Sequence, residues 1–254
     1  MSMPHAVDAS SLSPRRARSR ARRTERIVTT AMDLIAEEGF DALTMTRLAG
    51  ELDLSVGALY RYFRSKDALV AELQRRAIGT IREQIAGLKG QLAGAYDGGG
   101  ASPRVIACGE LLAIADYYLG MREREPRLYR LVAATLADPR QLVDDIEAAR
   151  VAPSLGAALS EVASSFESAA EVGALEEGSP LHRTVAYWTA LHGVTLIGKL
   201  ERLAADDLLD AHRLGRDLAA TMLRGWGATS DDLRAAHAWQ NDHRGKSVRD
   251  EESA

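Results

Sequence analysis

Residues Thr44 to Phe63, TMTRLAGELDLSVGALYRYF, constrain the fold most, because they read as two short helices joined by a tight turn. Thr44 is a good N-cap, and Leu48, Ala49 and Leu52 give the first helix one apolar side. Asp53 falls where the chain must turn sharply, and its short polar side chain tolerates the left-handed conformation of such turns. Leu54 then plugs the angle between the helices. Ser55 caps the second helix, predicted to bury Leu59 and expose Val56, Gly57, Ala58 and Arg61. Two small helices at an angle, the second with a small polar outer face, make the helix-turn-helix that lays a helix in a DNA major groove.

The flanking sequence extends this pattern. Thr24 to Glu38 is amphipathic, with Ile27, Val28, Ala31, Leu34 and Ile35 on one side, and Gly39 closes it. Ser65-Lys66-Asp67-Ala68-Leu69 caps and starts a long helix. Runs of Val, Ile and Thr with strict alternation are absent and Ala, Leu and Arg are plentiful, so the chain is expected to be all-α.

The segments AMDLIAEEGFDALTMTRLA, SVGALYRYF and SKDALVAEL resemble the tetracycline-repressor (TetR) family of bacterial regulators over residues 24 to 73. Asp53 stands where the family pattern usually has Gly. The resemblance implies a three-helix DNA-binding domain followed by a helical ligand-binding and dimerisation domain. It also implies that Thr46, Val56, Gly57 and Ala58 face bases while Tyr60, Tyr62 and Lys66 hold phosphates. Thr44, Arg47, Ser55 and Arg61 complete the expected DNA-binding surface, Arg61 being long enough for a guanine or a phosphate. A phosphate on the amides of the first turn would offset the unfavourable placing of the Lys66 cation there.

The net charge of −4 is unevenly distributed. Residues 1 to 75 hold 12 Lys or Arg against 10 Asp or Glu, and Arg15, Arg16, Arg18, Arg20, Arg22 and Arg23 form a basic arm. That arm either follows the minor groove or is a solvated tail adding nonspecific attraction. Cys108, the single cysteine, excludes an internal disulfide and a thiolate cluster. With no secretory signal and no apolar stretch long enough to span a bilayer, the expected location is the cytoplasm, away from any membrane.

The expected organisation is a disordered arm over 1–23, the helix-turn-helix domain over 24–70, and a ligand-binding and dimerisation domain over 71–228. A partly disordered extension over 229–254 completes it. Helices are predicted over about 66–92 and 103–124, the latter opened by Ser102 and Pro103, with others starting at Pro126 and Pro139. Pro153 is expected to break or kink the helix running to about 172. Two further helices cover about 181–203 and 206–226, and a short one covers 229–243.

Small residues Ala186, Ala190, Gly193, Val194 and Gly198 in the first of those two, with Leu208, Gly215, Leu218, Met222 and Trp226 in the second, suit close helix packing. In the resembled family the last two long helices make a four-helix dimer interface. Ala190, Gly193, Val194, Gly198, Leu218 and Met222 are its candidates here, against the alternative of burial within one chain. Tyr117, Tyr118, Met121, Phe166, Trp188 and His192 are candidate ligand-cavity residues, against the alternative that they simply fill the core. Glu110 and Asp116 lie off the apolar stripe and read as solvated. His182 and His192 fall on different helical faces, so neither a metal site nor a cofactor is expected. No Gly-x-Ser-x-Gly elbow, His-Glu-x-x-His pair or phosphate-binding Gly-rich loop argues for an enzyme.

The expectation is therefore a homodimeric transcriptional regulator and repressor that binds a palindromic operator in double-stranded DNA and is released by a small-molecule effector. The competing class is a ligand-binding or protein-interaction module without specific DNA binding.

Overall fold

The computed structural model describes residues 14–96, 100–135, 142–197 and 210–251, with side chains omitted at 96, 135 and 241–251. The expectations for residues 1–13, for the loop at 97–99, for Asp138 and Pro139, and for Gly198 and Leu208 lie outside them. Every regular element among the described residues is helical, and these residues form two compact units.

The first unit runs as far as Gln74 and also includes residues 127–151. It holds α1 (Pro14–Glu38), a single 3-10 turn (Phe40–Ala42), α2 (Met45–Glu51), α3 (Val56–Tyr60) and the first turns of α4 (Lys66–Tyr96). Almost all of α7 (Pro126–Thr135) and the start of α8 (Asp145–Glu171) belong to it as well. Its core is the stripe read from the sequence, with Ile27, Ala31, Leu48, Leu59, Leu69 and Leu73 all fully buried. Each buried leucine stabilises the unit by about 1.5–3 kcal/mol relative to exposure. Leu128, Leu131 and Val132 of α7 are buried too.

Two departures from expectation occur here. α1 starts at Pro14, so the described part of the arginine arm is helix rather than disordered chain. One cause is visible: Arg20 lies with its guanidinium 5.0 Å from the Tyr62 ring centre and donates from Nη2 to the Arg61 carbonyl at 3.1 Å. Pro14, at the first helical position, suits a helix start. The second departure is the capture of residues 127–151. Arg127 pairs with Asp33 at 3.3 Å, Arg130 donates to the Ala36 carbonyl, and the Asp67 carboxylate accepts the Asp144 amide at 3.1 Å.

The second unit comprises 75–126 and the described residues from 152 onward. Its centre is α5 (Pro103–Leu119), against which α9 (Pro180–Ile197), α10 (Ala211–Gly225) and α11 (Ser230–Glu251) all pack. Ser102 caps α5 as expected, its Oγ accepting from the Val105 amide at 3.3 Å. The predicted 103–124 helix is interrupted at Gly120 and resumes as α6 (Met121–Arg124). The Arg124 guanidinium folds back over Gly120, where a Cβ would meet it at 2.7 Å, and donates to the carbonyls of Asp116 and Tyr117. It thereby supplies donors to the orphan carbonyls at the end of α5.

Three more expectations need correction. α8 continues through Pro153, which is exposed, as is Ala149, whose carbonyl loses its helical donor and meets water instead. The C-terminal extension is a core helix, with Leu233, Ala236 and Gln240 buried against α5 and Gln240 donating to the Gly109 carbonyl at 2.7 Å. Asp116 is buried rather than solvated, because Arg216 of α10 donates to it at 2.6 Å. Glu110 is half-buried, 3.8 Å from Lys89. Cys108 is fully buried in α5, and burial, then the Asp232 charge, push its thiol up to about 11. It is a packing residue.

Candidate nucleic-acid interface

The helix-turn-helix forms for the reasons its sequence announces. Thr44 Oγ1 accepts from the Arg47 amide and Ser55 Oγ from the Ala58 amide, each at 3.1 Å, so both helices carry a side-chain cap. Asp53 takes φ +53°, the left-handed turn expected of it. The outer surface presents Thr44, Thr46, Arg47, Ser55, Gly57, Tyr60 and Arg61 as exposed residues, with Val56, Tyr62 and Lys66 half-buried.

Ala58 is a correction: it is buried rather than exposed. The helix α3 has five residues and packs against α2, so its inner side takes Ala58 along with Leu59. The small exposed positions are therefore Thr46 and Gly57. A Cβ added to Gly57 would meet nothing within 4 Å, so this backbone is open to close approach.

Two cations of the surface are already engaged. Arg47 reaches Glu38 through both terminal nitrogens, at 3.0 and 2.6 Å, and Glu51 through Nε at 3.4 Å. Lys66 stands 4.6 Å from the centre of the Phe40 ring, which fixes it beside the N-terminus of α4. Ser65 caps that helix, with Oγ accepting from the Ala68 amide at 3.0 Å. Arg61 has no such tie among its side-chain atoms, and Arg15, Arg16, Arg18, Arg22 and Arg23 are exposed along α1. The sum is a positively charged surface around two capped helices, suited to phosphates and to base edges.

In the second unit the candidate cavity residues separate into distinct groups. Phe166 is fully buried with Tyr187 and Trp226, at ring-centre distances of 5.6 and 5.4 Å. Met121 is buried as well. Tyr117 donates to Gln84 and lies under Arg124, and burial pushes its phenol upward. Tyr118, Trp188 and His192 form a linked set: Trp188 Nε1 donates to the Tyr118 hydroxyl at 3.1 Å, and that hydroxyl bonds His192 Nδ1 at 2.8 Å. A cavity of about 100 Å³ lined by Leu119, Thr195, Ala211 and His212, among others, lies one turn of α9 beyond His192. Tyr187 and Trp226 escaped the sequence reading of this region; both are aromatics at helical spacing, a signal indistinguishable from ordinary core.

The dimer candidates are similarly spread. Gly193 is exposed, Ala190, Leu218 and Met222 are half-buried, and Val194 is buried within its own chain. A Cβ on Gly193 would touch nothing, whereas one on Gly215 would lie 2.4 Å from Leu119 Cδ2, so Gly215 serves the α10–α5 packing. The same helices expose large apolar side chains that the sequence reading passed over: Leu181, Val185 and Leu196 on α9 and Leu214 on α10. Among the described residues no His, Cys, Asp and Glu cluster could hold a metal, and no helix is long and apolar enough to cross a membrane.

Residues 27–73 match the family model described as bacterial regulatory proteins, tetR family. Over 70 residues the chain is 37% identical to the HTH-type transcriptional regulator YerO of Bacillus subtilis, covering 28% of this chain and 24% of that one. It is also 37% identical over 70 residues to the HTH-type transcriptional repressor KstR of Mycobacterium tuberculosis, covering 26% and 32%. The matches thus span about a quarter to a third of those relatives. The fold is similar to that of the transcriptional regulator FadR from Bacillus subtilis, solved in complex with stearoyl-CoA. That match has a TM-score of 0.57 and 14% identity, covering 77% of this chain and 96% of that one.

Proposed function

Because residues 27–73 belong to the tetR family of bacterial regulatory proteins, we propose that this chain is a dimeric transcriptional repressor, acting in the cytoplasm and without enzymatic activity. It binds a palindromic operator through α3 and leaves it when a small molecule occupies the second unit. The observation that carries this reading is the capped, exposed pair α2–α3 with its surrounding cations. In the reading, Thr46, Val56 and Gly57 face bases, with Ala58 beneath them, and Tyr60, Arg61, Tyr62 and Lys66 hold phosphates. Arg47 joins the interface where a phosphate displaces its carboxylates.

Dimerisation is supported by exposed Leu181, Val185 and Leu196 on α9 and Leu214 on α10, which a second copy would cover. Two subunits related by a two-fold axis present two copies of α3 to successive major grooves, which requires an inverted repeat in the operator. The effector has to prefer the conformer that cannot bind DNA, since equal affinity for both shifts nothing.

Selection from a random duplex pool tests the reading. Recovery of an inverted repeat is expected. Lys66→Ala weakens all recovered sequences alike and flattens the logarithmic salt slope by about 0.9, while Gly57→Arg changes the recovered motif. Enrichment of no sequence leaves the chain a helical interaction module.

A further inference from the structure

We propose that His192 anchors the ligand of the second unit through its Nε2–H, and that this ligand is an uncharged, mostly apolar molecule bearing a carbonyl oxygen, such as a ketone, ester or lactone. The proposal rests on the ligand-responsive reading above and names the chemistry of its site.

His192 is 8% exposed, and its Nε2 is buried with no hydrogen-bond partner. Buried polar atoms without partners are rare in folded proteins, and each asks for a reason. The other ring nitrogen is well held. The Tyr118 oxygen accepts the Trp188 indole N–H at 3.1 Å, so the phenol proton is the one directed to His192 Nδ1, 2.8 Å away. An imidazole that accepts at Nδ1 carries its single neutral proton on Nε2. Burial favours that neutral form, holding the imidazole below its usual pKa. The result is a fixed, inward donor that calls for an acceptor.

The surroundings select which acceptor. Trp188 lies 6.1 Å from the imidazole, centre to centre and tilted by 32°, and offers a flat apolar wall. The α5 face against α9 supplies Leu111, Ile114 and Ala115, all buried. Arg216, which α10 brings to α5, is already held by Asp116 at 2.6 Å. A buried carboxylate ligand would need a countercharge that the neutral imidazole does not supply. A carbonyl oxygen needs only the one N–H. Thr195, one turn further along α9, lines the cavity of about 100 Å³, which provides space beside the anchor.

The test is nitrogen NMR of the full-length protein with labelled histidine, together with calorimetry. The probes are 2-undecanone, γ-undecalactone and benzophenone, each paired with a hydrocarbon of similar skeleton, and decanoate as the charged control. The ligand-free spectrum is expected to show the Nε2–H tautomer of His192. At least one carbonyl probe should shift its Nε2 resonance and bind about tenfold tighter than its hydrocarbon pair. His192→Phe should abolish that difference, while His192→Gln, which keeps a donor near the same point, should retain most of it.

The opposite tautomer overturns the proposal. So does an Nε2–H already hydrogen-bonded in the ligand-free dimer, a preference for decanoate, or a panel in which no carbonyl outbinds its hydrocarbon. Operator affinity is measured separately. A probe that binds at His192 without changing it overturns the regulatory reading alone, and one that releases DNA without moving Nε2 overturns this proposal alone.

Discussion

Arg64 donates through Nε to the Glu147 carboxylate at 3.0 Å, joining the segment that follows α3 to the first turn of α8. The Glu147 side chain is only 3% exposed, and Arg150 also donates to it at 3.1 Å, so one buried carboxylate holds two arginines that remain half-exposed. Asp144 completes the joint: its Oδ1 accepts the Glu147 amide at 2.8 Å, and its own amide donates to Asp67.

This joint has unequal partners. Removing Glu147 strips two charge-assisted hydrogen bonds, but the stranded arginines can turn to water. Removing Arg64 leaves a buried carboxylate still paired with Arg150. Each single change, Glu147→Ala or Arg64→Ala, is therefore expected to cost about 1–3 kcal/mol. The double variant should cost less than the sum by about 1 kcal/mol or more. Urea unfolding of the four proteins measures the coupling, and strict additivity would show that the two residues do not support one another.

Asp53 holds φ +53° with a side chain, where glycine would do so without steric penalty. Asp53→Gly relieves the strained backbone but enlarges the freedom of the unfolded chain, so the net change is expected within about 1 kcal/mol. Asp53→Val places a β-branched side chain in the left-handed region and should destabilise by roughly 1–2 kcal/mol. Thermal melts of both variants decide this. Equal stability of the valine and glycine proteins would mean that the turn relaxes away from its left-handed form.

What was legible in the sequence is what short-range chemistry determines. Thr44, Ser55 and Ser102 announce helix starts because a cap is a three-residue affair, and Asp53 announces a turn through its own backbone. Ala58 was misread because a five-residue helix has too little periodicity to tell its inner side from its outer. The pairs Arg64–Glu147, Asp116–Arg216 and Gly109–Gln240 join residues 83, 100 and 131 positions apart, and no local pattern encodes them. The helix α11 was hidden by its charge, although Leu233, Ala236 and Gln240 follow a narrow stripe at intervals of three and four. The Tyr118–Trp188–His192 set was named from composition, but only the fold separates it from Phe166 and shows which nitrogen of His192 lacks a partner.

Acid should weaken the protein through His192. Burial lowers the folded-state pKa of this imidazole, so between that depressed value and about 6.5 the unfolded chain binds more protons than the folded one. Stability from this group is complete above about pH 6.5 and falls as the pH drops through that window. Below the folded pKa it falls no further. His192→Gln removes the titration while keeping a polar side chain, so its urea midpoint should change less between pH 7.5 and 5.5 than that of the parent. An equal change in both proteins would assign the acid sensitivity to other groups.

The exposed apolar stripe yields the sharpest test of assembly. Leu181 and Leu196 on α9 are 52% and 51% exposed, and Leu214 on α10 is 41% exposed, although each sits on a helix whose other side is core. A solitary chain gains nothing from leucines in those positions, whereas a second copy would remove them from water at about 25 cal/mol per Å² of apolar surface. A charge at the centre of such a face has to be desolvated or the face must open. Leu196→Glu combined with Leu214→Glu should therefore raise the dimer dissociation constant at least a hundredfold while leaving each chain folded, because neither side chain belongs to the intrachain core. Sedimentation at micromolar concentration reads the outcome, with circular dichroism to confirm helix content. A folded dimer that survives both glutamates would place the two-fold contact on another surface, and the spacing of the two reading helices would then have to be derived from that one.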